Sequence, residues 1–170
     1  MENKDELNLL DSDDRAKYEF KDKDISIFRA PKGLDESTVR LISKMKGEPK
    51  FMLDFRLKSL KEFFNHPQPK FGPNLDFIDF QDYTYYTKVS NGIAENWDDV
   101  PDTVKKTFDK LGIPEAEQKY LSGVTTQYES EAVYSNMLKE VEDKGVVFLD
   151  TDTGLKLYPE IFKKYFGKLV

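Results

Sequence analysis

Large apolar side chains recur at helical spacing in GEPKFMLDFRLKSLKEFF, residues 47–64. At 100° per residue, Met52, Leu53, Leu57, Leu60, Phe63 and Phe64 fall within an arc of about 140°, with Arg56 inside it, while Phe51 and Phe55 point to roughly the opposite side. The pattern predicts a helix with one broad apolar face and a second, narrower one, covered from two directions and central to its domain. Just upstream, Asp35 stands where a helix cap belongs. Val39, Leu41, Ile42 and Met45 supply the apolar stripe, and Gly47 and Pro49 close the element. These two helices are expected to run antiparallel.

NHPQPKFGPN, residues 65–74, places three prolines and a glycine where a continuing helix would need amide hydrogens, so it reads as a loop. DFIDFQDYTYYTKV, residues 76–89, is rich in aromatic and β-branched residues and reads as extended, with a strand near 80–89. In WDDVPDTVKKTFDKLG, Asp98 or Asp99 caps a helix with Pro101 in its first turn, Val104, Phe108 and Leu111 on one face, and Gly112 at the exit. A shorter helix is expected from Pro114 to near Gly123. Another should open at Glu129 or Ser130, carry Val133, Tyr134, Met137, Leu138 and Val141, and close at Gly145. VVFLD, residues 146–150, reads as a short strand, and YPEIFKKYFG as a final helix with Pro159 at its start. The fold class that follows is α+β, mainly helical, with five to seven short helices and a small β element.

Composition narrows this picture. A chain of 170 residues that is 38% hydrophobic, with 13 Phe, 9 Tyr and 1 Trp, is expected to build one core, placed at residues 25–170. Residues 1–24 are strongly acidic and poor in apolar side chains, and are expected to be a disordered leader. No run approaches the roughly 18 apolar residues of a membrane span, and the amino terminus lacks the basic-then-apolar order of a signal peptide. With zero Cys there is no disulfide framework, no thiolate metal site and no cysteine nucleophile. A net charge of −6 argues against nucleic acid, whose phosphates need a basic face. It favours protein partners.

Three patterns invite a chemical reading. VVFLDTDTG, residues 146–154, runs an apolar strand into Asp-x-Asp, as in the first motif of haloacid dehalogenase-type phosphatases, where Asp150 would be the nucleophile and Asp152 the acid/base. The plainer reading, which we prefer, is that Asp152 caps the following turn. The lysine and magnesium-binding acids of such enzymes lie far downstream, and too few residues follow Gly154 to hold them. A calcium loop starting at Asp150 fails as well, because Leu155 and Ile161 stand where glycine and glutamate are required. His66 is the only histidine and sits between Asn65 and Pro67, the place of a turn residue. Tyr83, Tyr85 and Tyr86 have no basic groove beside them and read as packing residues.

Longer stretches carry a resemblance. GEPKFMLDFRLKSL, PKFGPNLDFIDFQDYTYYTK and WDDVPDTVKKTFDKLGIPEAEQKYLSGVTTQYESEAVY closely resemble the amino-terminal region of SufB, the iron–sulfur cluster assembly scaffold of the SUF system, in its Gram-positive form. The resemblance runs from about Tyr18 to Val170. It implies a cytoplasmic scaffold subunit working with the SufC ATPase, the paralogue SufD and a possible sulfur donor. In the family this region precedes a β-helix core that carries the sulfur-accepting cysteine and the candidate cluster ligands. That core would begin after residue 170, so no catalytic, cofactor or metal residue carries over. The expected role is a non-catalytic accessory domain, excised or naturally alone, with an iron–sulfur cluster implied only for the full-length family. Two positions depart from the pattern: Val89 stands where many relatives have proline, and Ser135 where many have histidine.

Interaction residues are then the remaining candidates. Arg56, within its apolar arc, is expected to be chiefly structural, its stem packed and its guanidinium tied to carboxylates or carbonyls, with an intersubunit contact as the alternative. Phe162, Tyr165 and Phe166, together with Ile161, give the last helix more apolar surface than one stripe can bury. Weak self-association through that surface is the expected consequence.

Overall fold

The structure is a computed structural model that describes residues 24–114, 117 and 123–168. All but one residue of the acidic leader, and most of the helix expected from Pro114 to Gly123, lie outside the described residues. The chain divides into two compact units. The first comprises Met1–Ser26, Val89–Tyr128 and Ala132–Phe148; the second comprises Ile27–Lys88, Glu129–Glu131 and Leu149–Val170. The class is α+β, with six α-helices and two small antiparallel two-stranded sheets among the described residues.

In the second unit, β1 (Phe28–Arg29) pairs antiparallel with β2 (Thr87–Lys88). Helix α1 (Glu36–Lys46) starts where expected, because the Asp35 side chain accepts a hydrogen bond from the Thr38 amide. It stops at Gly47, whose φ of 63° is the left-handed conformation a helix exit requires and glycine adopts without strain. Helix α2 (Lys50–Asn65) follows at once and packs against α1. The expectation that α2 is covered along its length from two directions is not met. Met52 is buried and Leu53, Leu57 and Leu60 are half-buried, but Phe63 and Phe64 are exposed. The reason is length: α1 has 11 residues and α2 has 16, so α1 cannot cover the last turns of its partner.

The loop after α2 is irregular, as its prolines require. Of the extended stretch expected near 80–89, only β2 and an isolated bridge between Lys32 and Thr84 are strand-like. Phe80–Asp82 is instead a 3-10 turn, capped by the Asp79 side chain, which accepts from the Gln81 amide. A carboxylate two residues back competes locally with any ladder, and the aromatic run cannot override it. The second unit ends in α5 (Thr151–Leu157) and α6 (Pro159–Tyr165), the latter where the sequence placed it.

The first unit holds a cluster of Val89, Trp97, Val100, Val104, Val133 and Tyr134. Trp97 meets both Phe108 and Tyr134 edge-on, with ring centroids 6.0 and 5.3 Å apart. Helix α3 (Asp102–Lys110) begins later than its acidic residues implied. Asp98 and Asp99 fall in a 3-10 turn capped by Asn96, and Pro101 stands just before the helix. Proline has no amide to lose there and cannot extend the helix backwards.

Two further expectations are overturned. The helix expected to open at Glu129 or Ser130 is a hairpin, β3 (Val124–Tyr128) and β4 (Glu131–Asn136), followed by only a short α4 (Lys139–Glu142). Glu129 makes the reversal at φ 54°. Ala94 docks alongside β4 through bonds between the Ala94 amide and the Val133 carbonyl and between the Ser135 amide and the Ala94 carbonyl. β-branched residues at Val124, Thr125 and Thr126 favour this, and burial of the neighbours Val133 and Tyr134 overrides the helical spacing downstream. Residues 146–150 form no strand: Val146 and Val147 are exposed, and no ladder partner stands beside them among the described residues.

Trp97 is the only tryptophan and therefore reports on its own cluster. Trp97→Ala should lower stability by about 3–5 kcal/mol, the usual cost of emptying an aromatic core position. Urea denaturation followed by far-ultraviolet circular dichroism checks this; a midpoint at the wild-type value would mean the cluster carries no such weight.

Candidate interaction surface

The sequence singled out Arg56, Phe162, Tyr165 and Phe166, all of which lie in the second unit. Arg56 sits midway along α2, with its side chain 38% exposed, and its fork grips Glu48, whose side chain is 1% exposed. Nε lies 2.9 Å from Glu48 Oε2 and Nη2 lies 2.6 Å from Oε1, a bidentate pair that Lys could not reproduce. Glu48 stands in the short link between α1 and α2, so the pair pins the helical corner.

Phe162 and Phe166 come together with ring centroids 6.1 Å apart, and Phe166 meets Phe55 of α2 edge-on at 5.2 Å. Gly167, at φ 64°, allows that approach, since a Cβ there would lie 2.5 Å from the Phe55 ring. Lys163 extends over Phe51 at 5.6 Å and Lys164 over Tyr165 at 4.9 Å. Even so, Ile161, Tyr165, Phe166 and Leu157 remain exposed, with only Phe162 half-buried. Arg56 is committed to Glu48, and the aromatic pairs involve its neighbour Phe55, on the adjacent spoke of the helix. The structure thus brings Phe162 and Phe166 together against Phe55, leaves Tyr165 exposed beside Lys164, and ties Arg56 to Glu48.

Sequence reasoning missed the polar network that supports this surface. Lys46 Nζ, on a side chain only 12% exposed, pairs with Asp152 Oδ2 and also donates to the Ser130 carbonyl at 3.2 Å. It lies 5.9 Å from the centroid of the Tyr86 ring. Ser130 Oγ accepts from the Thr87 amide at 3.0 Å, and the Tyr86 hydroxyl donates to Glu131 at 2.5 Å. Burial, and after it the hydrogen bond to Glu131, holds the Tyr86 phenol well above its ordinary value of 10.0. Nothing local in the chain pairs Lys46 with a residue 106 positions away.

The Asp-x-Asp motif is accounted for in structural terms. Asp150 caps α5, its side chain accepting from the Asp152 and Thr153 amides at 2.9 and 3.0 Å. The cap is therefore Asp150, two residues earlier than the expected Asp152, because α5 begins at Thr151. Among the described residues no cluster of three His, Cys, Asp or Glu side chains is arranged to hold a metal ion. No helix among them is long and apolar enough to cross a membrane.

Comparison with known proteins follows the same line. The chain is 58% identical over 154 residues, 91% of its length, to an iron–sulfur cluster assembly SufBD family protein of Staphylococcus aureus (strain USA300). It is equally similar, over 153 residues, to the iron–sulfur cluster assembly SufBD family protein of Staphylococcus saprophyticus. The chain spans 33% of the length of each, and so about a third of the curated relatives it matches. No family model matches it. No solved structure matches it.

Two outcomes are expected. Arg56→Ala strands the buried Glu48 carboxylate and should cost about 1–3 kcal/mol, read from the urea midpoint, whereas the double change with Glu48→Gln should recover part of the loss. For Tyr86, the folded value lies above the unfolded one, so its contribution is complete below pH 10.0 and is lost as pH rises beyond that, because the unfolded chain releases the proton first. Tyr86→Phe should cost about 1.5–3 kcal/mol at neutral pH and flatten the fall in stability above pH 10. Identical alkaline slopes for the two proteins would remove Tyr86 from that role.

Proposed function

We propose that this chain serves iron–sulfur cluster assembly as a non-catalytic accessory region of a SufB-type scaffold subunit, acting through protein contacts. The observation that carries the reading is the 58% identity across 91% of the chain to proteins named for that assembly. The choice of SufB over SufD rests on the resemblance of residues 47–60 and 97–134 to the former. Chemistry inside the chain supports an accessory role. Protein-bound clusters rest on thiolates or clustered imidazoles, and this sequence has zero Cys and one His.

The exposed face of α6, with Ile161, Tyr165 and Phe166, supports a binding role, since contiguous apolar surface of this kind is covered by association. In this reading the partners are those of the SUF system, namely the SufC ATPase, SufD or a sulfur donor, in the cytoplasm. Arg56 holds the platform in place, and the aromatic side chains make the contact.

A pull-down of the chain against each SUF component tests the proposal. One component should be retained, and Phe166→Ser should weaken retention at least tenfold, whereas Arg56→Lys should change it less. Retention of none by a folded chain counts against a partner-binding role. Anaerobic incubation with iron and sulfide, followed by desalting, should leave the chain colourless; about one cluster per chain surviving would place the chemistry here instead.

A further inference from the structure

The last turns of α2, left uncovered by α1, border an open groove of about 560 Å³. Its floor is Leu34, Leu57, Leu60 and Phe64, and Asp35, Glu36, Lys61 and Gln81 stand around it. The irregular loop of residues 66–79 begins right after Phe64 and Asn65 and ends right before Phe80 and Gln81. Both of its ends are therefore fixed at the groove. At the far end Gln81 is tied to Leu34 twice, accepting from the Leu34 amide at 3.1 Å and donating to the Leu34 carbonyl at 3.3 Å.

That loop carries the two most exposed aromatic residues among those described, Phe71 at 84% and Phe77 at 80%. Lys70 precedes Phe71, but the acids at the groove are already engaged, Asp35 in capping α1 and Glu36 by Arg40, so the apolar ring is what the groove can take. Gly72 follows at φ 89° with open space around it, a position free to turn. The side-chain oxygen of Gln68 is buried without a hydrogen-bond partner, so the loop's present position leaves one polar group unsatisfied.

We propose that residues 66–79 form a strap that closes over this groove, seating Phe71 on Leu57, Leu60 and Phe64. Seven residues separate Phe64 from Phe71, a reach of about 23 Å when extended, so the tether spans the groove without strain. Pro67, Pro69 and Pro73 restrict the free loop and lower the entropy lost on closing. Closure within one chain has the further advantage of a high effective concentration over docking of a second copy. The groove is then self-occluded, and any apolar segment that binds it must displace Phe71.

The absence of cysteine makes disulfide trapping unambiguous. Lys61→Cys with Pro73→Cys places one thiol on the rim and one beside Phe71, at exposed positions and without removing the aromatic ring. Ser59→Cys with Pro73→Cys uses the same loop against the opposite face of α2. Mild oxidation at low micromolar concentration should close the first pair within a monomer at least tenfold faster than the second. Adding Phe71→Ser should remove the difference, with an unchanged circular dichroism spectrum excluding misfolding. Equal rates for the two pairs, indifference to Phe71→Ser, or a covalent dimer as the main product would each overturn the strap.

Discussion

The second unit depends on one lysine. It is assembled from three separate stretches of chain, Ile27–Lys88, Glu129–Glu131 and Leu149–Val170, and its β1–β2 ladder is only two residues long on each strand. Backbone pairing of that size cannot hold three segments in register. Lys46 does so with one side chain, binding Asp152 of the last segment and the Ser130 carbonyl of the middle one from the end of α1. Because the ammonium is largely desolvated, removing either acceptor would leave a charge without compensation, which is how such a node imposes one arrangement on its neighbours. Tyr86 and Thr87 reinforce it by engaging Glu131 and Ser130, so Ser130 is held from a second side and its neighbour Glu131 is tied down as well.

A polar node of this kind also explains the modest core of the unit. Its buried apolar residues are Ala30, Val39, Met52, Tyr86 and Leu155, with Thr38, Ser43 and Thr87 buried among them. Nine of its described phenylalanines and tyrosines are exposed instead, Phe55, Phe63, Phe64, Phe71, Phe77, Tyr165 and Phe166 among them. Scattered apolar exposure is ordinary, but rings gathered at the end of α2 and along α6 form surfaces that association can cover. The node holds those surfaces in place without drawing the rings inward.

What the sequence made legible was local. Asp35 and Gly47 bounded α1 to the residue, and Pro159 marked α6, because caps act through atoms within a few positions of themselves. Class and family resemblance were also readable, the latter from long stretches of chain. The hairpin was not, since Val133, Tyr134, Met137 and Val141 satisfy a helical stripe, and the pairing of the segment holding Val133 and Tyr134 with β3 is a choice made by tertiary burial. Nor was the polar node, whose bonded partners lie 43 to 106 residues apart. Asp152 was expected to cap the turn that follows it, whereas in the fold Asp150 caps the helix and Asp152 neutralises Lys46.

Arg56 draws these strands together. An arginine inside an apolar arc can be buried for packing, or held ready for a partner, and geometry separates the two by asking what its fork touches. Here the fork is filled by Glu48, a carboxylate from the corner between α1 and α2. The pair divides α2 into a first half anchored by Met52 and a second half whose phenylalanines face outward. Phe55, one residue before the arginine, meets Phe166 of α6, so fixing Arg56 also fixes the spoke on which the α6 surface rests. A bidentate ion pair to a buried carboxylate constrains both side chains at once, and here it fixes the corner from which α2 sets out. In the fold the arginine's work is structural, its fork closing the corner between α1 and α2.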